Sequence, residues 1–193
     1  MKELLFASAN PHKLSEINAL LAPLNRQVRG LQELGFDVDI PETGETLEEN
    51  AAIKARFLYA QTGRDCFADD TGLEVEALAG APGVYSARYA GEPANSERNI
   101  EKLLTAMEHA KSRKARFRTV ICLIRNGEEQ LFEGVVNGSI SAEKSGSAGF
   151  GYDPVFVPEG HNLSFAEMTP ELKNSMSHRS RALAAMLQAL KTA

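Results

Sequence analysis

The chain has 193 residues, of which 43% are hydrophobic and 24% charged, and its formal net charge at pH 7 is −5. This length suits one well-buried core, or a single domain with two lobes over residues 1–193. The acidic balance argues against general nucleic-acid binding, and the apolar run at 4–7 is too short for a signal peptide or a membrane span. We therefore expect a cytoplasmic protein that has neither a nucleic-acid nor a membrane partner.

Strand and helix signals alternate along the chain. The predicted elements are, in order, a strand over 4–7, a helix from Asn10 to Pro23, a helix from Thr46 to Gly63, a strand over 66–68 that ends at the polar run 69–72, a helix from Asn95 or Ser96 to about Ala110, strands over 117–124 and 130–136 joined by the turn Asn126-Gly127, and a helix from about Ser177. Caps, prolines and apolar periodicity indicate these elements. Their alternation predicts an α/β fold with a mixed β-sheet flanked by helices.

The two cysteines indicate neither a disulfide framework nor a metal site. Cys66 and Cys122 have no CxxC or metal-ligand spacing. Free cysteines are usually buried and inert, so we expect reduced, buried thiols.

The turn between the first strand and the first helix is the first of three candidate site clusters. Its residues are Ser8, Ala9, Asn10, Pro11, His12 and Lys13. Backbone N–H groups at a helix start and the helix dipole favour an anion, and Lys13 adds a point charge suited to phosphate. The alternative is a plain helix cap in which Asn10 serves only the backbone.

The second cluster is acidic and consists of Glu42 and the tandem pair Asp69-Asp70. Carboxylates near strand ends of an α/β sheet lie where ligands bind, and Mg²⁺ prefers hard oxygen ligands. Side chains alternate along an extended backbone, so we expect only one of the two aspartates to face a metal. The alternative is a solvated turn that caps a helix.

The third cluster is a glycine-flexed loop with three cationic residues: Gly149, Phe150, Gly151, Tyr152, Asp153 and Pro154, followed by Lys173, His178 and Arg179. The glycines let the backbone approach a ligand, Phe150 or Tyr152 offers a stacking face, and Arg179 can make forked hydrogen bonds. This combination suits a flat base with several phosphates. The alternative is a common turn with an aromatic core residue and a basic helix start.

A basic run over 113–118 could suggest RNA binding. Because the chain is acidic overall and lysine often protects strand edges, we expect a solvated strand edge there instead. The aromatic residues of segment 85–89 could serve a dimer surface, core packing or a place beside the active site.

The three clusters occur together in an order and spacing that resemble the inosine triphosphate pyrophosphatase family, from Leu5 to about Leu187. The matching segments are Ser8-Ala9-Asn10 with Lys13, Glu42-Thr43-Gly44, Glu49-Asn50-Ala51 with Lys54-Ala55, the run 68–73, the run 80–89, the loop 149–154 and Ser177-His178-Arg179. One position departs from the pattern: the family commonly has glycine where this chain has Ala9. Its methyl group could crowd a phosphate or strain a positive φ angle, so we expect it to tune the turn.

The resemblance implies a hydrolase that cleaves ITP, dITP, XTP and dXTP between the α and β phosphates. The products would be the nucleoside monophosphate and pyrophosphate, with Mg²⁺ as cofactor, and the role would be cleansing of the nucleotide pool. It also implies an elongated fold, with two lobes about a long mixed sheet and a nucleotide cleft between them, usually as a homodimer.

The resemblance also implies roles for individual residues. Asp70 is the expected general base and metal ligand, Glu42 the second metal-binding carboxylate and Thr71 a nearby substrate contact, whereas Asp69 carries no firm role. The expected substrate-binding residues are Ser8, Ala9, Asn10, Pro11, His12, Lys13, Lys54, Thr71, Phe150, Gly151, Tyr152, Asp153, Lys173, His178 and Arg179.

Physical chemistry supports these roles. Lys13 and Lys54 would neutralise phosphate oxygens while a carboxylate deprotonates water. Phe150 would stack on the purine, and Lys173, His178 and Arg179 would donate to its 6-keto oxygen. Adenine has an amino donor at that position, so donor would face donor.

Two other functions remain open on the sequence. A Maf-like nucleotide pyrophosphatase would keep the phosphate chemistry but prefer pyrimidine or modified nucleotides. A non-enzymatic nucleotide sensor is expected to have lost Glu42 or Asp70, and this chain has both.

Overall fold

The computed structural model describes residues 4–191. Its strands are β1 (Leu4–Phe6), β2 (Val28–Arg29), β3 (Cys66–Val75), β4 (Pro82–Gly83), β5 (Lys114–Arg125), β6 (Glu128–Ile140) and β7 (Phe156–Pro158). Its α-helices are α1 (Pro11–Leu21), α2 (Leu47–Thr62), α3 (Ser96–Ala106), α4 (Pro170–Met176) and α5 (His178–Ala189). Short 3₁₀ turns occupy Ala22–Leu24, Gln32–Leu34, Glu76–Leu78, Ser86–Arg88, Asp153–Val155 and Phe165–Glu167.

The strands form one mixed sheet in the order β2-β1-β3-β5-β6-β7, with β4 paired to β3 off this path. β1 runs parallel to β2 and β3, with Leu4 opposite Val28 and Leu5 opposite Cys66. β4 pairs with β3, and β7 with β6, in the antiparallel sense. The predicted α/β class with a mixed sheet is confirmed.

The chain divides into two compact units, which we call the first unit and the second unit. Within the described chain the first unit takes in 4–70, 119–134 and 179–191, and the second takes in 71–118 and 135–178. Each unit has its own apolar core. Phe6, Ile17 and Phe67 lie in that of the first unit, and Phe117 and Phe156 in that of the second. The single two-lobed domain expected from the sequence stays a prediction.

Most predicted helix ends are confirmed by their caps. Asn10 caps α1, and Asn95 caps α3 through the N–H of Arg98. Gly63 ends α2 in the left-handed conformation, with φ of 62°. The helix expected to reach Ala110 is shorter than predicted and ends at Ala106.

The capping box predicted at the start of α2 forms only in part. The Thr46 hydroxyl accepts the N–H of Glu49 at 3.2 Å, as expected. However, the Glu49 carboxylate accepts from the N–H of Glu45, at 2.6 Å, instead of from Thr46. The segment before the helix is therefore bound to its first turn one residue earlier than the pattern predicts.

Two strand predictions are wrong. β3 does not end at the polar run 69–72 but continues to Val75, because buried cations neutralise Asp69 and Asp70 within the strand. The basic run 113–118 does not form a sheet edge either, since β5 lies between β3 and β6. Arg116 and Arg118 instead pair with Glu74, at 2.6 and 2.9 Å.

Both cysteines are free and buried, which confirms their predicted state. Burial raises the pKa of Cys66 to about 12 and that of Cys122 to about 11, so both are protonated at neutral pH. None of the helices within residues 4–191 is long and apolar enough to cross a membrane.

Candidate active site

The tandem aspartates of β3 have separate partners, as the alternation of side chains along a strand requires. Asp69 accepts from the Lys13 ammonium at 2.8 Å and from the Arg179 Nε at 3.0 Å. Asp70 accepts from the Lys54 ammonium at 2.7 Å. Asp69 therefore binds two cations, whereas Asp70 belongs to a separate group with Lys54 and Glu42.

Lys54 bridges the two carboxylates that the resemblance assigns to a metal. Its ammonium lies 2.7 Å from an oxygen of Glu42 and 2.7 Å from an oxygen of Asp70, and its side chain is only 9% exposed. Burial alone would lower the pKa of Lys54, but Asp70 and Glu42 outweigh burial and raise it. Burial raises the pKa of Asp70, and the Lys54 charge opposes that rise.

Asp69 belongs to a chain of alternating charges in which Asp69 and Arg179 are buried. Lys13, Asp69, Arg179 and Glu16 follow one another through hydrogen-bonded ion pairs. Burial alone would raise the pKa of the Asp69 carboxyl, but Lys13 and Arg179 outweigh it and hold that pKa well below its ordinary value. Asp69 is therefore ionised at neutral pH and fixes two cations within the first unit.

The turn before α1 adopts the predicted capping geometry. The Asn10 side chain accepts the N–H groups of His12 and Lys13 at 2.9 and 3.3 Å, and Pro11 takes the first helical position. The Ser8 hydroxyl accepts the N–H of Asn10 at 3.2 Å. Ala9 is exposed and does not have a positive φ angle, so the strain considered for its methyl group is absent.

In the second unit, Asp153 organises the glycine-flexed loop. Its Oδ2 atom accepts the Phe150 N–H at 2.8 Å and the Lys173 ammonium at 2.7 Å. The Lys173 nitrogen lies 5.2 Å from the centre of the Phe150 ring, within the range of a cation–π interaction. Asp153 and Lys173 are both buried, and the centre of the Phe165 ring lies 5.6 Å from the Lys173 nitrogen.

Gly149 is required by this arrangement. Its φ angle is 76°, and a Cβ atom there would lie 2.1 Å from the Asp153 Oδ2 atom. Gly151 also has a positive φ angle, 62°, but a Cβ at this position would meet no atom within 4 Å. The first glycine therefore makes room for a carboxylate, whereas the second serves only the backbone turn.

The structure separates the two aromatic candidates of the loop. Phe150 is half-buried, whereas Tyr152 is 4% exposed and donates its hydroxyl to the Ser86 carbonyl at 2.9 Å. Phe150 is thus the better placed of the two for stacking on a ligand. His178 is buried too, and its ring stacks on that of Phe117 at 4.6 Å.

The predicted site residues fall into two groups, one in each unit. The residues Ser8, Ala9, Asn10, Pro11, His12, Lys13, Glu42, Lys54, Asp70 and Arg179 belong to the first unit, and Thr71, Phe150, Gly151, Tyr152, Asp153, Lys173 and His178 to the second. The sequence grouped Arg179 with Lys173. The structure gives its guanidinium Asp69 and Glu16 as partners, and its predicted contact with a base stays a prediction.

Sequence reasoning missed Glu16 and gave no role to Asn50, although Asn50 lies in one of the matching segments. Glu16 pairs with Arg179, and Asn50 accepts the backbone N–H of Gly44 at 2.8 Å. Glu16 follows Lys13 by about one helical turn, so their shared face was a usable signal. Its partner Arg179 comes from the far end of the chain, and no local pattern indicates that pairing.

Comparisons with known proteins identify the family of this chain. The Ham1 family model matches residues 4–189. A relative from Porphyromonas gingivalis named dITP/XTP pyrophosphatase is 56% identical over 185 residues, covering 95% of each chain. A solved HAM1 protein from Coxiella burnetii is 42% identical with a TM-score of 0.90, covering 100% of both chains. The Ham1 protein of Staphylococcus aureus is 40% identical with a TM-score of 0.88, covering 99% of both. The family relationship predicted from the motifs is confirmed, and the chain belongs to the Ham1 family.

Proposed function

We propose that this protein hydrolyses non-canonical purine nucleoside triphosphates, namely ITP, dITP, XTP and dXTP, to the monophosphate and pyrophosphate. The observation that carries the proposal is the group formed by Lys54 with Glu42 and Asp70, at 2.7 Å from each. Relatives named dITP/XTP pyrophosphatase that match nearly the whole chain support the same substrate class. The proposed role is removal of these nucleotides from the pool.

Two carboxylates that meet at one cation are suited to Mg²⁺. Protein sites for this ion commonly supply one or two carboxylates, and water and substrate phosphates complete the coordination. Within the described part of the chain, no group of three or more His, Cys, Asp or Glu side chains is placed to hold a metal. Glu42 and Asp70 are the residues that would hold it, and the bound ion would neutralise phosphate oxygens.

Asp70 is the proposed general base. It takes a proton from water while the water oxygen bonds to phosphorus and the P–O bond that bridges the α and β phosphates breaks. Its burial and the resulting rise in its pKa increase its proton affinity. Lys13 and Lys54, both on helices of the first unit, contribute positive charge to the phosphates.

The loop of the second unit is the proposed base-recognition element. Phe150 stacks on the purine, and Lys173 and His178 supply donors for a keto oxygen. Asp153 holds the Lys173 ammonium at 2.7 Å, so this donor has a fixed position. A buried donor left facing the amino group of adenine costs about 1–3 kcal/mol, equivalent to roughly a ten- to hundredfold preference for each contact.

A pyrophosphate-release assay tests the proposal. ITP, dITP, XTP and dXTP are compared with ATP, dTTP and UTP, each with and without Mg²⁺. We expect Mg²⁺-dependent release from the first four and at least tenfold lower kcat/KM for the others. Equal efficiency on ATP and ITP would overturn the assignment, and a preference for dTTP or UTP would favour a Maf-like activity.

Oligomeric state and location complete the proposal. We propose a homodimer that acts in the cytoplasm, on the basis of the family resemblance. Light scattering during size-exclusion chromatography gives the mass in solution, and a monomer at assay concentration would contradict the dimer.

A further inference from the structure

The segment that carries Glu42 has no helix or strand of its own between β2 and α2 apart from one 3₁₀ turn. Even so, the Glu42 carboxylate meets Lys54 at 2.7 Å, although 26% of the Glu42 side chain is exposed. A residue on such a segment needs an external constraint to keep a fixed position. The contacts of the neighbouring residues show what supplies it.

Two side chains of α2 bind the backbone of this segment. The Asn50 Oδ1 atom accepts the Gly44 N–H at 2.8 Å, and the Glu49 carboxylate accepts the Glu45 N–H at 2.6 Å. The backbone at Gly44 lies directly against the helix. A Cβ there would be 2.6 Å from the Glu49 Cβ and 2.7 Å from the Asn50 Oδ1.

Asn50 is an unfavourable residue for this position on stability grounds alone. Its side chain is fully buried. The Nδ2 atom has no hydrogen-bond partner among residues 4–191, and an unsatisfied buried donor is costly. Asparagine is also a weak helix former. An apolar residue would suit the helix better, so a position-specific role accounts for the asparagine.

We propose that Asn50 is a positioning residue for Glu42. By holding Gly44, two residues after Glu42, it fixes the segment so that the Glu42 carboxylate meets Lys54 and, through it, Asp70. Asn50 and Lys54 lie one turn apart on α2, so a single helix sets both the acidic segment and its cation. The inference rests on the proposed function for its kinetic test, but its structural test is independent of activity.

The structural test measures amide hydrogen exchange by NMR. Asn50→Ala removes the acceptor of the Gly44 N–H, and we expect that amide to exchange at least tenfold faster than in the unmodified protein. Thr46→Ala is the matched control, because it removes the cap of the same helix and leaves the Asn50 bond in place. Asn50→Asp keeps an acceptor at the same site and should restore most of the protection. Unchanged exchange in Asn50→Ala would overturn the inference even if the protein has no activity on ITP.

The kinetic test is a double-mutant cycle with Glu42→Gln. If Asn50 acts through Glu42, Asn50→Ala lowers kcat/KM for ITP at least tenfold alone but less than twofold in the Glu42→Gln background. Equal losses in both backgrounds, or wild-type kinetics for Asn50→Ala, would overturn the inference. If Asn50→Ala does not fold, Asn50→Ser is judged by the same criteria. Absence of pyrophosphate release from every nucleotide with the unmodified protein would count against the proposed function and leave the exchange test decisive.

Discussion

The charged groups of the first unit and the loop cluster of the second unit differ in how their ionic side chains are paired. In the first unit, Lys13, Lys54 and Arg179 each pair with one or two carboxylates, and these ion pairs form connected groups. In the second unit, one buried pair, Lys173 with Asp153, lies beside the aromatic rings of Phe150 and Phe165.

This difference suggests what each cluster can recognise. In the first unit, burial alone would lower the pKa of Lys54 and of Arg179, but their carboxylate partners outweigh burial and raise it. Both side chains therefore stay charged, which suits a ligand with several negative charges. A single ammonium fixed beside aromatic rings presents one directed donor in apolar surroundings, which suits a flat ring with one keto group. The charged groups of the first unit therefore depend mainly on charge compensation. The loop cluster of the second unit depends mainly on the geometry of its side chains.

The largest expected effect comes from breaking the charged groups of the first unit at Asp70. Asp70→Asn keeps the shape of the side chain but removes its basicity, and general-base catalysis typically contributes about 10²–10⁴-fold. We expect kcat for ITP to fall by at least about 10³-fold, while the Kd for ITP measured by calorimetry changes little. Glu74→Gln is the control, because it removes another carboxylate of β3, one that pairs with Arg116 and Arg118. Unchanged turnover in Asp70→Asn would remove its assignment as the base.

A second prediction concerns Asp69, which we expect to stabilise the fold of the first unit. Asp69→Asn leaves Lys13 and Arg179 without their shared charge, and breaking a buried pair in this way costs about 3–5 kcal/mol. Glu129→Gln breaks a largely exposed pair with Arg56 and should cost less than about 1 kcal/mol. Urea unfolding of the metal-free protein at pH 7 measures both changes. Similar losses in the two variants would contradict the role given to Asp69.

The pH dependence of the same variant sharpens this test. The pKa of Asp69 is lowered in the folded state, so its contribution to stability is full above the pKa of the unfolded chain, about 3.9. The contribution is lost as the pH falls below that value, through the lower pKa of the folded protein. The difference in unfolding free energy between the unmodified protein and Asp69→Asn should therefore be constant from pH 7 to about pH 5 and shrink below about pH 4. A constant difference down to pH 2 would show that Asp69 acts through packing and not through its charge.

The sequence predicted local features well and long-range pairings poorly. Asn10, Asn95 and Gly63 were assigned to helix ends because a cap depends on residues that are adjacent in the chain. The continuation of β3 through Asp69 and Asp70 was missed, because the cations that neutralise them come from α1, α2 and α5. The short strands β2, β4 and β7 were missed as well, since two or three residues carry too little periodicity to indicate a strand.

The same limit explains which parts of the candidate site were predicted. The motifs place Glu42, Lys54 and Asp70 in one candidate site, and the structure brings these three side chains together. Nothing local indicated that Arg179 would bind Asp69 and Glu16, or that Asp153 would hold both Lys173 and the Phe150 backbone. Residue chemistry can be inferred from composition and order, whereas the partner of a buried charge depends on the folded chain.

The smallest expected effect separates the two glycines of the loop in the second unit. In Gly149→Ala the new methyl group would overlap the Asp153 carboxylate, which must then move away from Lys173 and the Phe150 N–H. Losing a charged hydrogen bond costs about 1.5–3 kcal/mol, so we expect KM for ITP to rise about tenfold or more and the preference for ITP over ATP to fall, with little change in kcat.

Gly151→Ala is the matched control, because its positive φ angle brings backbone strain of only about 1–2 kcal/mol and its Cβ meets no neighbour. Steady-state kinetics on ITP and ATP compare the two variants. If Gly151→Ala shifts the ITP preference as much as Gly149→Ala does, loop conformation and not the placement of Asp153 sets base selection, and the contrast drawn between the two clusters fails.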